Sequence, residues 1–291
     1  AKFPRNVLAG DKVRPRVFVP SYRVSFMVSA GARARTTDTT ASAETVLSGA
    51  EPELIQAITD RAYADFIERL TAAGFTVVTQ AEWRAADGAA QLKAGSGDIE
   101  IQSMGDLGAR QAYALVHPTG LGSWPETAMP VNLGPVRSMT RSLDATMVAP
   151  RFTVNYAYVK AAGGGPMAII ARGAQASFEP KIHGGPVIGG FSMEAWRVRV
   201  GQHGGFMEYK VDGSLEAPGA FGSVSSGRGP AVSTLAGGRA VDTWDNRLGY
   251  ASHASATGRF EVDPEAYARL ALQALALQNQ VAVDELARAR R

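Results

Sequence analysis

The chain of 291 residues carries 30 Lys and Arg against 27 Asp and Glu, with 45% hydrophobic and 20% charged residues; that balance builds a large globular fold and argues against a mostly disordered chain. A net charge of only +3 and the absence of a dense Lys/Arg run argue against a phosphate-tracking nucleic-acid surface. Cysteine is absent, which removes disulfides, thiolate metal centres, iron–sulfur clusters and cysteine nucleophiles, and no stretch reaches the roughly 18–20 apolar residues of a spanning helix.

Residues 1–15 form a Pro-punctuated arm. It begins Ala1-Lys2-Phe3-Pro4 without Met, as expected after removal of an export signal or in a fragment; export is the favoured expectation. An α/β core is predicted over 16–172. Residues 17–28 are rich in β-formers, with Tyr22, Val24, Phe26 and Val28 alternating with Arg23, Ser25 and Met27. Pro20 implies an edge position or a bulge there. The Ala/Thr/Ser-rich residues 29–47 read as a polar, mobile connection.

The spacing of Ile55, Ile58, Ala62, Phe66, Ile67 and Leu70 predicts an amphipathic helix over 53–73. Pro52, Glu51 and Glu53 supply its start, and Gly74 stands where a left-handed C′ residue is wanted. Residues 75–79 then read as a buried strand. Short strands are expected at 98–102 and 112–116, with turns at 117–120 and 124–126. A second helix is expected over 136–145, with Val136, Met139 and Leu143 on one face. A strand over 147–160, interrupted at Pro150, and a turn at 163–166 into a strand at 167–171 complete a second unit.

Residues 173–216 carry β signal only, at 174–178, 191–200 and 206–215. The phrases around His183-Gly184-Gly185 and His203-Gly204-Gly205 echo each other as the similar ends of a hairpin. The Gly/Ser/Ala-rich residues 217–260 read as a long loop or excursion used for binding or assembly. A terminal helix in 261–291 starts on Asp263 as N-cap and Pro264 at N1, and ends on Arg288, Arg290 and Arg291. Its first half is apolar nearly all round, so burial on more than one side is expected, packing between protomers being one route. The fold class is therefore α/β: a mixed sheet with two strand–helix–strand units, an added β-rich section and a C-terminal helix.

Catalytic and cofactor signals are nearly silent. His117, His183, His203 and His253 stand beside Gly, Pro or Ser and lack metal-ligand spacing; they read as turn residues, with a His183–His203 metal pair across a hairpin as the sharper alternative. There is no phosphate loop, and Gly184-Gly185 and Gly189-Gly190 precede no helix, which excludes a dinucleotide fingerprint. The serines around Ser225 and Ser226 lack the spacing of a nucleophile elbow. Two acid pairs, Asp98/Glu100 and Asp242/Asp245, would suit acid–base hydrolysis if they faced a cleft. Trp83, Trp124, Trp196 and Trp244 are read as packing residues, with sugar stacking as the alternative. No catalytic residue, cofactor or metal ligand is assigned.

The run Leu54-Ile55-Gln56-Ala57-Ile58-Thr59-Asp60, through Phe66-Ile67-Glu68-Arg69-Leu70 to Ala73-Gly74-Phe75-Thr76-Val77-Val78, is similar to the curli secretion-channel (CsgG-like) outer-membrane lipoprotein family. The step from Ser142-Leu143-Asp144-Ala145 to Phe152-Thr153-Val154 looks like that family's second unit, so the resemblance covers residues 16–160. It implies a periplasmic α/β domain, outer-membrane association and homo-oligomeric rings in which β-hairpins close a pore. The chain departs from the pattern in having no cysteine, the residue that carries the family's lipid anchor. Glu179, Lys181, Glu194, Arg197, Arg199, Glu208 and Lys210 also make the β-rich section read as an ordinary sheet rather than lipid-facing strands.

These readings converge on an exported structural subunit of a homo-oligomer, ring-like or filament-like, at the outer membrane or cell surface. Self-association is expected, with a further surface partner allowed and no nucleic acid, no transmembrane helix and no enzymatic activity. The alternative is a monomeric exported protein that binds a glycan or small ligand through exposed Trp and Tyr.

Overall fold

The computed structural model describes residues 13–35, 39–92, 99–106, 109–122, 129–162, 175–184, 197–202, 205–210, 215–226 and 252–290. Its strands are β1 (Arg16–Phe18), β2 (Arg23–Arg35), β3 (Thr39–Ser48), β4 (Thr76–Val77), β5 (Glu100–Asp106), β6 (Ala109–Val116) and β7 (Thr146–Ala162), followed by β8 (Gln175–Gly184), β9 (Arg197–Gln202), β10 (Gly205–Lys210), β11 (Leu215–Ala217), β12 (Gly222–Ser226) and β13 (Ser252–Val262). The helices are α1 (Pro52–Ala72), α2 (Gln80–Arg84), α3 (Met129–Ser142) and α4 (Pro264–Arg290), with a 3-10 turn at Ala89–Gln91. All the strands join one mixed sheet, ordered β10-β9-β7-β2-β3-β13-β12 along its longest path. The α/β class with a C-terminal helix is as the sequence predicts.

The first strand breaks in two. β1 ends at Phe18 and lies between β4 and β7 rather than at an edge; Pro20 falls in the gap before β2, where no ladder donor is needed. Residues 29–35 and 39–47 are strand rather than loop. β2 runs on to Arg35 and returns as β3, with β6 on the far side of β2 and β13 on the far side of β3. Ala and Thr carry little bulk, yet backbone bonding on two sides, with Ala30, Ala43 and Thr45 buried, holds these strands.

α1 begins with Pro52 at its first turn and ends before Gly74, whose φ of +82° is the left-handed conformation predicted. It buries Ile55, Ile58, Ala62, Phe66 and Leu70. Phe66 meets Phe152 and Tyr22 at ring-centroid distances of 6.4 and 5.7 Å. The strand after Gly74 is short, β4, with Phe75 and Val78 buried on either side. α3 starts seven residues before the predicted 136 and carries Pro135 inside it. β7 is continuous through Pro150, which pairs with Val198. On its other side the neighbours β1 and β2 are interrupted between Met147 and Arg151, so no donor is called for there.

β9 and β10 pair as an antiparallel hairpin, but His183 stands in β8, which pairs with β7 and β11, so the two echoing phrases are not the ends of one hairpin. The predicted excursion 217–260 is largely strand where described: β12 pairs with β13, and β13 pairs in parallel with β3 from Ser252↔Thr39 to Glu261↔Ser48. The turn at 163–166, the strand at 167–171 and residues 227–251 lie outside the described residues. α4 starts as predicted, with Asp263 accepting from the backbone N–H of Ala266 at 2.8 Å. Its apolar stripe, Tyr267, Leu270, Ala271, Ala274, Leu275, Ala282, Val283 and Leu286, is buried by its own chain. It lies against α1, β7, β8 and β11, so no partner protomer is required to cover it. Near its end Arg290 donates to the Gly74 carbonyl at 2.7 Å and stands over the Phe75 ring.

Candidate functional site

Two buried polar networks organise the sheet. The first joins the entry of β2 to both long helices. The Tyr22 hydroxyl donates to Asn279 Oδ1 at 3.1 Å, and Asn279 Nδ2 donates to the Ala62 carbonyl and to Asp65 Oδ2, both at 2.8 Å. Burial holds the Tyr22 phenol well above its ordinary pKa, so it stays a neutral donor. Asp65 in turn accepts from Arg69 Nε at 2.7 Å.

The second network crosses from β6 to β8. The Tyr113 hydroxyl lies 3.1 Å from both Gln111 Oε1 and Asn155 Oδ1. Asn155 Nδ2 donates to His183 Nδ1 at 3.4 Å, and His183 Nε2 donates to the Ala157 carbonyl at 3.3 Å. The His183 ring stacks on Tyr158 at 3.9 Å, and the Tyr158 hydroxyl donates to Glu216, which also pairs with Lys181 at 2.5 Å. Both ring nitrogens are engaged, and burial lowers the His183 pKa to about 4. His183 is a neutral joint between β7 and β8 rather than a turn residue.

His117 is also built in. It is buried just beyond β6, its Nδ1 donates to the Tyr22 carbonyl at 3.1 Å, and burial followed by Arg23 and Arg151 lowers its pKa to about 4. His203, Asp98, Asp242, Asp245, Trp124, Trp196 and Trp244 lie outside the described residues. Glu100 opens β5, opposite Leu115, and His253 lies opposite Thr40 in β13. β8 pairs with β7 and β11, so the hairpin containing His203 is not formed with His183's strand. Ser225 and Ser226 pair with Arg259 and Gly258 inside a strand, which is no setting for an elbow nucleophile. Trp83 is buried in α2 and offers no sugar platform. Among the described residues no cluster of three His, Asp or Glu could hold a metal ion, and no helix is long and apolar enough to cross a membrane.

The polar residues that organise the interior, Arg23, Asn155, Gln278 and Asn279, are missed by motif reasoning. Arg23 was visible as the polar alternate of β2, whose second face turns out to be buried too. At the surface, β5, β10 and β12 each bond to one described neighbour only. β12, Gly-Ser-Val-Ser-Ser, has neither charge nor proline, and β5 exposes Ile101 at 63%. The hairpin ends at Arg35/Thr39, Asp106/Ala109, Ala162/Gln175 and Ser226/Ser252 lie toward one end of the sheet. Comparisons with protein-family models, curated proteins and solved structures find no match.

Proposed function

We propose that the chain is an exported structural subunit of a homo-oligomer, ring-like or filament-like, associated with the outer membrane or cell surface. The observation that carries this reading is β12: among the described residues it is an edge strand, without the charge or proline with which monomers blunt such edges. Edge-to-edge addition of a further copy would extend a sheet that already collects four hairpin ends toward one side. The exposed Ile101 on the edge strand β5 adds apolar area to such a contact. The resemblance of residues 16–160 to the curli secretion-channel family supports export and ring formation.

Light scattering across a dilution series tests the reading. A stable multiple of 30.6 kDa is expected; a monomer at every concentration overturns it. The alternative, a monomeric glycan or small-ligand binder, needs exposed aromatic platforms; among the described residues Trp83, Tyr22, Tyr113, Tyr156 and Tyr267 are buried, and Tyr63 and Tyr158 are half-buried.

A further inference from the structure

The backbone of β12 divides its hydrogen bonds between two sides. The Asp263 N–H donates to the Phe221 carbonyl at 2.9 Å, one step beyond the pair Gly222↔Val262. In an antiparallel ladder, hydrogen-bonded pairs alternate with non-bonded ones, so Ser223↔Glu261 and Ser225↔Arg259 carry the next bonds to β13. Gly222 agrees: a Cβ built there would run into the Glu261 carbonyl oxygen, which therefore points toward β12. The N–H and C=O groups of Gly222, Val224 and Ser226 turn the other way, where no described strand meets them.

The other open edges are less suited to a partner. β5 carries Glu100 and Asp106, and β10 carries Glu208 and Lys210, whereas Gly-Ser-Val-Ser-Ser has no charge to repel a second copy of itself. Its sequence also reads almost the same from either end about Val224. Strand direction narrows the choice further. β5 and β12 both run with β2, as the pairings through β6 and through β3 and β13 require. Joining β12 of one copy to β5 of the next, as a continuous sheet, therefore makes a parallel junction, the weaker kind per residue. Two β12 strands related by a twofold axis normal to the sheet are antiparallel.

We propose that β12 pairs with β12 of a second copy, antiparallel and centred on Val224. The proposal rests on the reading of the chain as a self-associating subunit and names its contact. In this register Val224 stands opposite its own counterpart and Gly222 opposite Ser226 of the other copy. Every outward backbone group of one strand then meets one of the other. Moving the twofold axis to Ser223 or Ser225 leaves the outward groups of Ser226 or of Gly222 without a partner. A twofold contact closes at two copies, so growth beyond the dimer uses a further surface.

The chain has no cysteine, so single-cysteine variants of the full chain report the register directly. Ser223 and Ser225 of opposite copies form a non-bonded pair with Cα atoms about 4.5 Å apart, within disulfide reach, whereas Ser223 lies diagonal to its own counterpart at about 7–8 Å. Under mild oxidation, a mixture of Ser223→Cys and Ser225→Cys is expected to form a linked dimer roughly tenfold faster than either variant alone. Val224→Pro removes an outward N–H that β13 does not use, and is expected to reduce the scattering mass to a single chain with the far-ultraviolet circular dichroism unchanged. A disulfide formed fastest by Ser223→Cys alone, or between Ser223→Cys and Ile101→Cys, overturns the proposal in favour of a parallel or a head-to-tail junction. An oligomer that keeps its mass in Val224→Pro, or that forms no disulfide in the mixture, overturns it and leaves the subunit reading standing. A single-chain mass at every concentration removes both.

Discussion

The side-chain amide of Gln278, on α4, bonds to both backbone groups of Thr153 on β7. The Thr153 N–H donates to Oε1 at 3.3 Å, and Nε2 donates to the Thr153 carbonyl at 3.1 Å. β9 stops pairing with β7 at Arg151 and β8 begins at Asn155. The amide therefore takes the place of a missing strand residue in the gap between them. Each buried backbone group left unpaired costs about 1–3 kcal/mol. Gln278→Leu is expected to lower the unfolding free energy by about 2–4 kcal/mol, read from urea denaturation with the m-value unchanged; a loss below about 1 kcal/mol would show the gap to be wet.

Gly184 makes that plug possible. A Cβ built there would overlap the Gln278 amide, so Gly184→Ala is expected to destabilise the protein by more than a surface substitution does. The two positions are coupled: in a Gln278→Ala background most of the cost of Gly184→Ala should vanish. Additive losses in the double-mutant cycle would place the strain elsewhere.

Acid should loosen the fold through two histidines. His117 and His183 have native pKa values near 4, against an ordinary 6.5. The unfolded chain binds more protons than the native one between these values, so stability is full above about pH 6.5 and falls as pH drops toward 4. Each histidine contributes a slope of up to about 1.4 kcal/mol per pH unit in that window. His183→Gln is expected to flatten the pH dependence of the urea midpoint, while an unchanged slope would remove His183 as a source.

Asn279 should behave as a junction rather than as a single contact. Tyr22→Phe and Asn279→Ala each leave polar groups of the Tyr22–Asn279–Asp65 network without partners. Losses of about 1–3 kcal/mol each are expected, with a coupling of about 0.5–3 kcal/mol in the double mutant. Chemical denaturation of the four proteins measures both.

If self-association runs through β12, charge on that edge should block it. Ser223→Lys with Ser225→Lys is expected to reduce the scattering mass to that of a single chain without altering the far-ultraviolet circular dichroism. An oligomer of unchanged mass would move the contact to β5 or β10.

Much of the fold is legible from local pattern: α1 from its apolar stripe and Gly74, α4 from Asp263 and Pro264, β6 and β7 from β-branched and aromatic residues. Residues 29–35, 39–47 and 252–262 are not, because Ala, Ser, Thr and Gly announce no core, and their strands are flanked by segments remote in the chain. Pro150 misled for a related reason: whether a strand tolerates proline depends on what its neighbours ask of that residue, which the chain cannot disclose locally. The interior polar residues are harder still. Gln278 sits in an apolar helical run, and its role follows from a gap between two strands that meet only in the folded sheet. His117 and His183 read as turn residues, since their burial, just beyond β6 and at the end of β8, cannot be told from their Gly and Pro neighbours.

The parallel pairing of β3 with β13 has a bearing on how the molecule comes into being. During synthesis from the N-terminus, Thr39–Ser48 emerges long before its partner Ser252–Val262. Until then one flank of β3 stays open, and α4, which seals the interior, follows later still. A chain with this wiring folds late and slowly, and in the interval that open flank is a template on which a stranger's strand can pair.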